Sequence, residues 1–148
     1  MIPFLINLLI GIIGGIAAGL QAPFTGIMGQ KVGELGSVLI TYTLGAVAIL
    51  IIAAGASFIG AIDMSQWRQI PWWAFLAGPI GLIIIGSVSY SIPRLGATSA
   101  TMLFLVGWLI FSAIIDHFGW FGIPIKPFNF SKIAGSLTLL LGGWLILR

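Results

Sequence analysis

The stretch MIPFLINLLIGIIGGIAAGLQAPFTGIMGQ, residues 1–30, decides the class of fold. Its first twenty residues are almost wholly apolar and carry no charged side chain, and a helix needs about 20 such residues to cross a bilayer. No Lys or Arg precedes the apolar run, which is also longer than the roughly 7 to 15 residues of a cleavable signal sequence. We therefore expect a first membrane-spanning helix that the chain retains.

The rest of the chain has the same apolar character. It contains 148 residues, of which 59% are hydrophobic and 6% charged, and its mean hydropathy is +1.20. Ordinary soluble domains carry about 25% charged residues, so this chain cannot cover a surface that faces water. The composition therefore predicts an integral membrane protein.

Hydrophobic segments alternate with short links that contain Gly, Pro and charged residues. Lipid offers the backbone no hydrogen-bond partner outside a helix, and the strict alternation of a membrane β-barrel is missing. We predict an all-α membrane protein, a bundle of five transmembrane helices in a single domain, residues 1–148. The predicted spans are about 2–28, 36–59, 71–92, 96–116 and 131–147.

The positive charges of the predicted links are balanced across the membrane. Five spans place three basic residues on each side: Arg68, Lys126 and Lys132 with the amino terminus, and Lys31, Arg94 and Arg148 opposite. Orientation follows the Lys and Arg imbalance of short links, so this tie predicts dual topology and an antiparallel homodimer. The alternatives are an oppositely oriented paralogue as partner, or an orientation that another feature decides.

Small residues of the first span predict a close helix contact. Gly11, Gly15 and Gly19 repeat at four-residue intervals and so share one face, where two helix backbones can approach closely. Packing within the chain and packing between two chains explain this face equally well.

The end of the first span is the leading candidate for a binding site. Pro23 lacks a backbone N–H and crowds the carbonyl of Gly19, so we expect a helix kink that leaves this carbonyl without its helical donor. Gln21 and Thr25 add an amide and a hydroxyl at membrane depth, where polar groups are costly unless they face protein or a watery cavity. The alternative is a polar cap that ends the span at the interface.

Three further residues complete the candidate substrate-binding set: Tyr42, Ser89 and Trp108. Trp108 is the one tryptophan well inside a predicted span, where its indole N–H needs a partner, although plain core packing is an alternative. No carboxylate lies in the middle of a predicted span. A cavity lined by such neutral groups suits a neutral, zwitterionic or weakly charged solute.

Asp116 and His117 are the only adjacent titratable pair in the sequence. His changes charge near neutral pH, so the pair is a candidate for proton coupling. The aromatic residues that follow favour instead a solvated helix end at the level of the lipid headgroups. An enzyme is not predicted, because one His, no Cys and no clustered carboxylates leave no metal site, cofactor site or nucleophile. No basic cluster suggests a nucleic-acid partner.

Four stretches of the sequence carry a family resemblance. They are GLQAPFTGIMGQKVGELGSVLITYTLGAVAIL, PWWAFLAGPIG, LGATSATMLFLVGWLIFSAIIDHFGWFG and SKIAGSLTLLLGGWLIL. In their order and spacing they resemble the YdcZ-like, five-helix branch of the drug/metabolite transporter superfamily. The resemblance implies a half-transporter in a bacterial inner membrane, equivalent to one of two inverted five-helix repeats, whose substrate site lies near the midplane between the halves.

The resemblance also bears on single residues. Gln21 matches the first-helix glutamine of the family, and Asp116, His117 and Gly119 match the ending of its fourth helix. Thr25 and Trp108 stand where the family often has asparagine and glutamine. These departures imply a less polar cavity than that of the relatives.

The leading functional hypothesis is a secondary transporter that moves a small organic solute by alternating access. Gln21, Thr25 and Trp108 are expected to face the central cavity of an antiparallel homodimer. The alternatives are a dual-topology ion channel, an accessory membrane subunit, and a cation exporter of the small-multidrug type. The missing first-helix carboxylate counts against the last of these.

Overall fold

The computed structural model describes residues 2–127 and 129–148, which form α-helices joined by turns and short 3-10 segments. The helices are α1 (Ile2–Phe58), α2 (Ala77–Leu95), α3 (Ala97–Phe118) and α4 (Phe130–Leu147). The short segments are Trp67–Gln69, Trp72–Leu76 and Trp120–Gly122. The predicted all-α class is confirmed.

Three helical segments among the described residues are long and apolar enough to cross a membrane: Pro3–Phe58, Trp72–Leu95 and Ala97–Phe118. The apolar part of α4, Ile133–Leu147, is shorter. The whole of α4 has 18 residues and rises about 27 Å, close to the roughly 30 Å of a hydrocarbon core. The helices thus fit an integral membrane protein.

The first predicted link, residues 29–36, is not a loop. Helix α1 continues through it and departs from helical geometry at a single residue, Gly33, with φ 77° and ψ 166°. Glycine reaches this region without the steric penalty of a Cβ atom. The neighbouring Lys31 and Glu34 are ordinary helix formers, so the hydrogen-bonded helix resumes at once. In the described part of the chain, α1 thus covers the first two predicted spans on either side of Gly33, and the count of five membrane spans stays a prediction.

A long-range hydrogen bond shows that α1 bends sharply at Gly33. The Ser37 hydroxyl donates to the Thr25 carbonyl over 3.0 Å, although these residues are 12 positions apart. In a straight helix that separation corresponds to about 18 Å. The chain must therefore turn back on itself. We call residues 2–32 the first arm and residues 34–58 the second arm.

The Cα positions group into two compact units, Met1–Pro93 and Arg94–Arg148. In the second unit α3 packs against α4, where a Cβ atom added to Gly143 would lie 3.0 Å from Cε of Met102. Helix α3 ends at Gly119, whose left-handed backbone (φ 65°) lets its N–H donate to the Ile115 carbonyl. The single domain over residues 1–148 stays a prediction.

Candidate functional site

Three buried hydroxyl-bearing residues meet in the first unit, and we call them the Thr25 junction: Thr25, Ser37 and Ser89. Thr25 and Ser37 are fully buried, and Ser89 is 1% exposed. The Thr25 carbonyl accepts one hydrogen bond from Ser37 Oγ at 3.0 Å and a longer, weaker one from Ser89 Oγ at 3.3 Å. One carbonyl therefore joins both arms of α1 to α2.

Two glycines allow the helices to come this close. A Cβ atom added to Gly26 would lie 2.7 Å from Ile92 Cγ2, and one added to Gly29 would lie 2.9 Å from the Ser89 carbonyl oxygen and collide with Ser89 Oγ. Close approach at small residues lets hydroxyl and carbonyl groups bond between membrane helices. The sequence alone did not single out Gly26, Gly29 or Ser37. The two glycines one and four residues after Thr25 were a usable signal of a close helix contact.

The structure brings two predicted substrate-binding residues, Thr25 and Ser89, together in a packed interior. The Thr25 hydroxyl donates to the Gln21 carbonyl at 2.6 Å, the bond that membrane Thr residues commonly make one turn back. The Thr25 hydroxyl is already hydrogen-bonded and the residue is fully buried, so in this conformation Thr25 connects helices. A direct role for Thr25 and Ser89 in substrate binding stays a prediction that requires this junction to open.

Gln21 and Tyr42 lie outside the junction. The side chain of Gln21 is exposed on the first arm, and Tyr42 is 36% exposed on the second arm. The Tyr42 hydroxyl lies against Gly81 of α2, where an added Cβ would collide with it. Gly81 precedes Ser89 by eight residues, about 12 Å along a helix, so Tyr42 contacts α2 at a different level from the junction.

Thr41 is a polar residue that sequence reasoning did not single out. It follows Ser37 by one helical turn, and its Oγ1 atom is buried without a hydrogen-bond partner within residues 2–127 and 129–148. Buried hydroxyls in native proteins are nearly always hydrogen-bonded, so an orphan one calls for a ligand or an ordered water. Thr41 therefore joins the candidate site.

Pro23 and the predicted glycine face both lie in the first arm. Pro23 sits inside α1, whose one non-helical residue in the described range is Gly33, so the sharp bend is ten residues beyond the proline. A Cβ atom added to Gly11, Gly15 or Gly19 would meet nothing within 4 Å. A kink at Pro23 and packing at the glycine face stay predictions.

The second unit carries Trp108, Asp116 and His117 on α3. Trp108 is 74% exposed. The Lys126 N–H donates to the Asp116 carbonyl at 2.8 Å, which folds the following link back onto the end of α3. Aromatic rings gather there: His117 meets Phe118 edge-on at 4.9 Å, and Phe118 stacks on Trp120 at 5.8 Å between centroids. Such rings are typical of the membrane interface.

The link after the second arm forms an open hollow of about 430 Å³. Its lining residues are Asp63, Met64, Gln66, Trp67, Gln69, Ile70 and Pro71. The Ser65 N–H donates to the Asp63 carboxylate at 2.8 Å, which lowers the pKa of Asp63. Arg68 lies 5.8 Å from the ring centroid of Trp67. These exposed groups suit an interfacial anchor. Within the described ranges, no three His, Asp or Glu side chains could hold a metal ion.

Comparison with known protein families identifies the family of this chain. Residues 6–145 match the model of a family described as "Putative inner membrane exporter, YdcZ". The chain belongs to this YdcZ family. No curated protein and no solved structure matches it.

Membership of the YdcZ family confirms the resemblance seen in the sequence. It also confirms the prediction that the chain is an integral protein of the inner membrane, which agrees with its long apolar helices. The description of the YdcZ family as one of inner membrane exporters agrees with a role in transport. The matched range contains every candidate site residue.

Proposed function

We propose that this YdcZ-family chain exports a small organic solute across the inner membrane by alternating access, as an antiparallel homodimer. The observation that carries the proposal is the match of residues 6–145 to a family of inner-membrane exporters. The neutral amide, hydroxyl and aromatic groups of the candidate site suit a neutral, zwitterionic or weakly charged solute. No carboxylate of the kind that a cation exporter buries lies in the middle of a predicted span.

The proposed unit has five membrane crossings. The bend at Gly33 supports this count, because each arm of α1 has more than the about 20 residues that one crossing needs. The two arms with α2, α3 and α4 then make one five-helix half of a transporter. Five crossings place three basic residues on each side, which supports insertion in both orientations.

The candidate residues have different roles in this proposal. The exposed Gln21, Trp108 and Tyr42 are available to a solute in the central cavity. The Thr25 junction holds both arms and α2 as one body. Thr25 and Ser89 reach the solute in the state in which that junction opens. Asp116 and His117 remain the proposed pair for proton coupling.

Counterflow in proteoliposomes tests the transport proposal. A panel of labelled amino acids, sugars and quaternary amines identifies a transported probe through saturable exchange against unlabelled probe. We expect Gln21→Ala to abolish this exchange, because the change removes an amide that binds solute. The matched control is Leu20→Ala, which truncates the neighbouring exposed side chain and keeps exchange at the wild-type level.

The outcomes separate the alternatives. Normal exchange in Gln21→Ala would remove Gln21 from the site. Flux orders of magnitude faster than that of a carrier, without exchange, would favour an ion channel. Purified protein that exchanges no probe and co-purifies with a larger membrane protein would favour an accessory subunit.

A further inference from the structure

The first arm is exposed on every side along most of its length. Its large apolar side chains from Phe4 to Leu20 are between 49% and 73% exposed, and none of the most apolar window of α1 is buried. Added Cβ atoms at Gly11, Gly14, Gly15 and Gly19 would all meet open space. Lipid can cover the apolar side chains of such a helix. It cannot satisfy a side-chain amide.

Three side-chain amides lie on this arm. That of Gln30 is near the bend at Gly33, whereas those of Asn7 and Gln21 project from the exposed part of the arm. Both residues are exposed, and neither side-chain amide has a hydrogen-bond partner in the described part of the chain. Asparagine and glutamine in membrane helices characteristically hydrogen-bond to a second helix. Each amide offers an acceptor oxygen and two donor hydrogens, so two amides complement each other.

Asn7 and Gln21 lie on one face and are separated by small residues. Asn7, Gly11, Gly14, Ala18 and Gln21 follow one another at intervals of four, three, four and three residues. This spacing keeps them on one stripe of a helix, as in the seam between two paired helices. The three small residues in the middle let two backbones approach, and the amides stand at the two ends.

The stripe is complementary to itself when a second copy runs the opposite way. Asn7 lies seven residues before Gly14, and Gln21 lies seven residues after it. A two-fold axis at Gly14 therefore places Asn7 of each copy at the level of Gln21 of the other. A parallel pair would instead place each amide opposite its own equivalent. The tied Lys and Arg count favours the antiparallel arrangement.

We propose that the first arms of two oppositely oriented copies pack along this stripe, crossing at Gly14, so that Asn7 of one copy hydrogen-bonds to Gln21 of the other. The proposal rests on the antiparallel homodimer of the proposed function. It adds that each Gln21 is oriented by the second copy, so the solute site is incomplete in a single chain. Asn7 is then a positioning residue, and the exposed face of the first arm is a dimer interface.

Cysteine cross-linking tests this pairing directly, because the chain contains no cysteine. Asn7→Cys and Gln21→Cys are expressed separately and together and are oxidised with copper phenanthroline in membranes. The two positions are about 21 Å apart along the helix, and a disulfide requires Cα atoms within about 7 Å. We expect a linked dimer from the co-expressed pair and from Gly14→Cys, and none from Asn7→Cys or Gln21→Cys alone.

A control position and a second measurement distinguish loss of the interface from misfolding. Ile16→Cys lies at nearly the depth of Gly14 on the opposite face of the helix, and we expect it to give no linked dimer. Native mass spectrometry in detergent compares Asn7→Leu, which should lose most of the dimer, with Asn7→Gln, which should keep it. A wild-type dimer fraction in Asn7→Leu would overturn the proposal.

The remaining outcomes are distinct. Self-linking of Asn7→Cys would show a parallel pair and overturn the proposal, and no linking at any position would show that lipid or another protein covers the arm. Counterflow is measured on the wild-type protein. Solute exchange without the Asn7 to Gln21 link contradicts this pairing alone, whereas the link without exchange contradicts the transport proposal alone.

Discussion

The Ser37 hydroxyl has an unusual acceptor for a residue in a membrane helix. Most such hydroxyls bond to their own helix one turn back, as Ser57 does to the Ala53 carbonyl at 2.7 Å. Ser37 instead bonds to Thr25, 12 residues away. The bond therefore depends on the fold, and removing it should weaken the fold in a measurable way.

We expect Ser37→Ala to lower the stability of the protein in detergent by about 1 kcal/mol, the usual contribution of a hydrogen bond between membrane helices. The substitution removes the shorter of the two bonds that the Thr25 carbonyl accepts. Thermal unfolding followed by tryptophan fluorescence measures the change. Ser57→Ala is the matched control, since it removes an exposed bond within the second arm and should leave the midpoint unchanged. Equal effects of the two substitutions would contradict a special role for Ser37.

At the scale of the helix, one glycine decides the path of α1. A straight helix of 57 residues would be about 85 Å long, nearly three times the hydrocarbon core of a bilayer. The backbone of Gly33 lies at φ 77° and ψ 166°, a region that is almost confined to glycine. A side chain at this position would strain the backbone. It would not collide with a neighbouring residue, since an added Cβ has nothing within 4 Å.

Gly33→Ala should therefore destabilise the bend by about 1–3 kcal/mol. Spin labels at Ile13 and Leu50 report the effect through electron–electron distance measurement. These positions are 37 residues apart and would be about 55 Å apart in a straight helix. The wild-type distance should be clearly shorter, and the variant should shift towards longer distances. Gly55→Ala, which also adds a Cβ in open space, is the control and should not change the distribution.

At the scale of the whole molecule, the charge distribution bears on orientation in the membrane. The chain carries six basic residues, and in the five-crossing arrangement they divide equally between the two sides. Short links with more Lys and Arg stay on the cytoplasmic side, so a tie gives no preferred orientation. This balance supports the proposed pair of inverted copies.

We expect a membrane-impermeant thiol reagent to label Ser65→Cys in about half of the molecules of intact cells, relative to permeabilised cells. Adding Gln66→Lys and Gln69→Lys should hold this link in the cytoplasm and reduce labelling to near zero. The control is the same pair of positions changed to Asn, which adds no charge. Complete or absent labelling of the unmodified link would indicate one fixed orientation, and the search would turn to an oppositely oriented paralogue.

Prediction from the sequence succeeded where the signal is local. The apolar stretches, the helical class and the YdcZ resemblance all follow from residues that are close together along the chain. The break between the first two predicted spans lies inside the predicted link, residues 29–36, but it is shorter than predicted, because the backbone leaves the helix at Gly33 alone. Gly26 and Gly29 were missed although their position after Thr25 was a usable signal. Ser37 and Thr41 were missed because nothing near them in the sequence distinguishes them from other hydroxyl-bearing residues.

The sequence by itself determined that this protein is a helical membrane protein of the YdcZ family. A bilayer leaves an apolar chain without the alternation of a β-barrel no other way to satisfy its backbone, so composition and segment length suffice for the helical membrane class. The family rests on the resemblance and on the match of residues 6–145. The tertiary structure alone decided that the reversal between the first two predicted spans takes place at the single residue Gly33, and that one carbonyl joins both arms to α2. Those features depend on hydrogen bonds between residues 12 and 64 positions apart, whose partners no local pattern specifies.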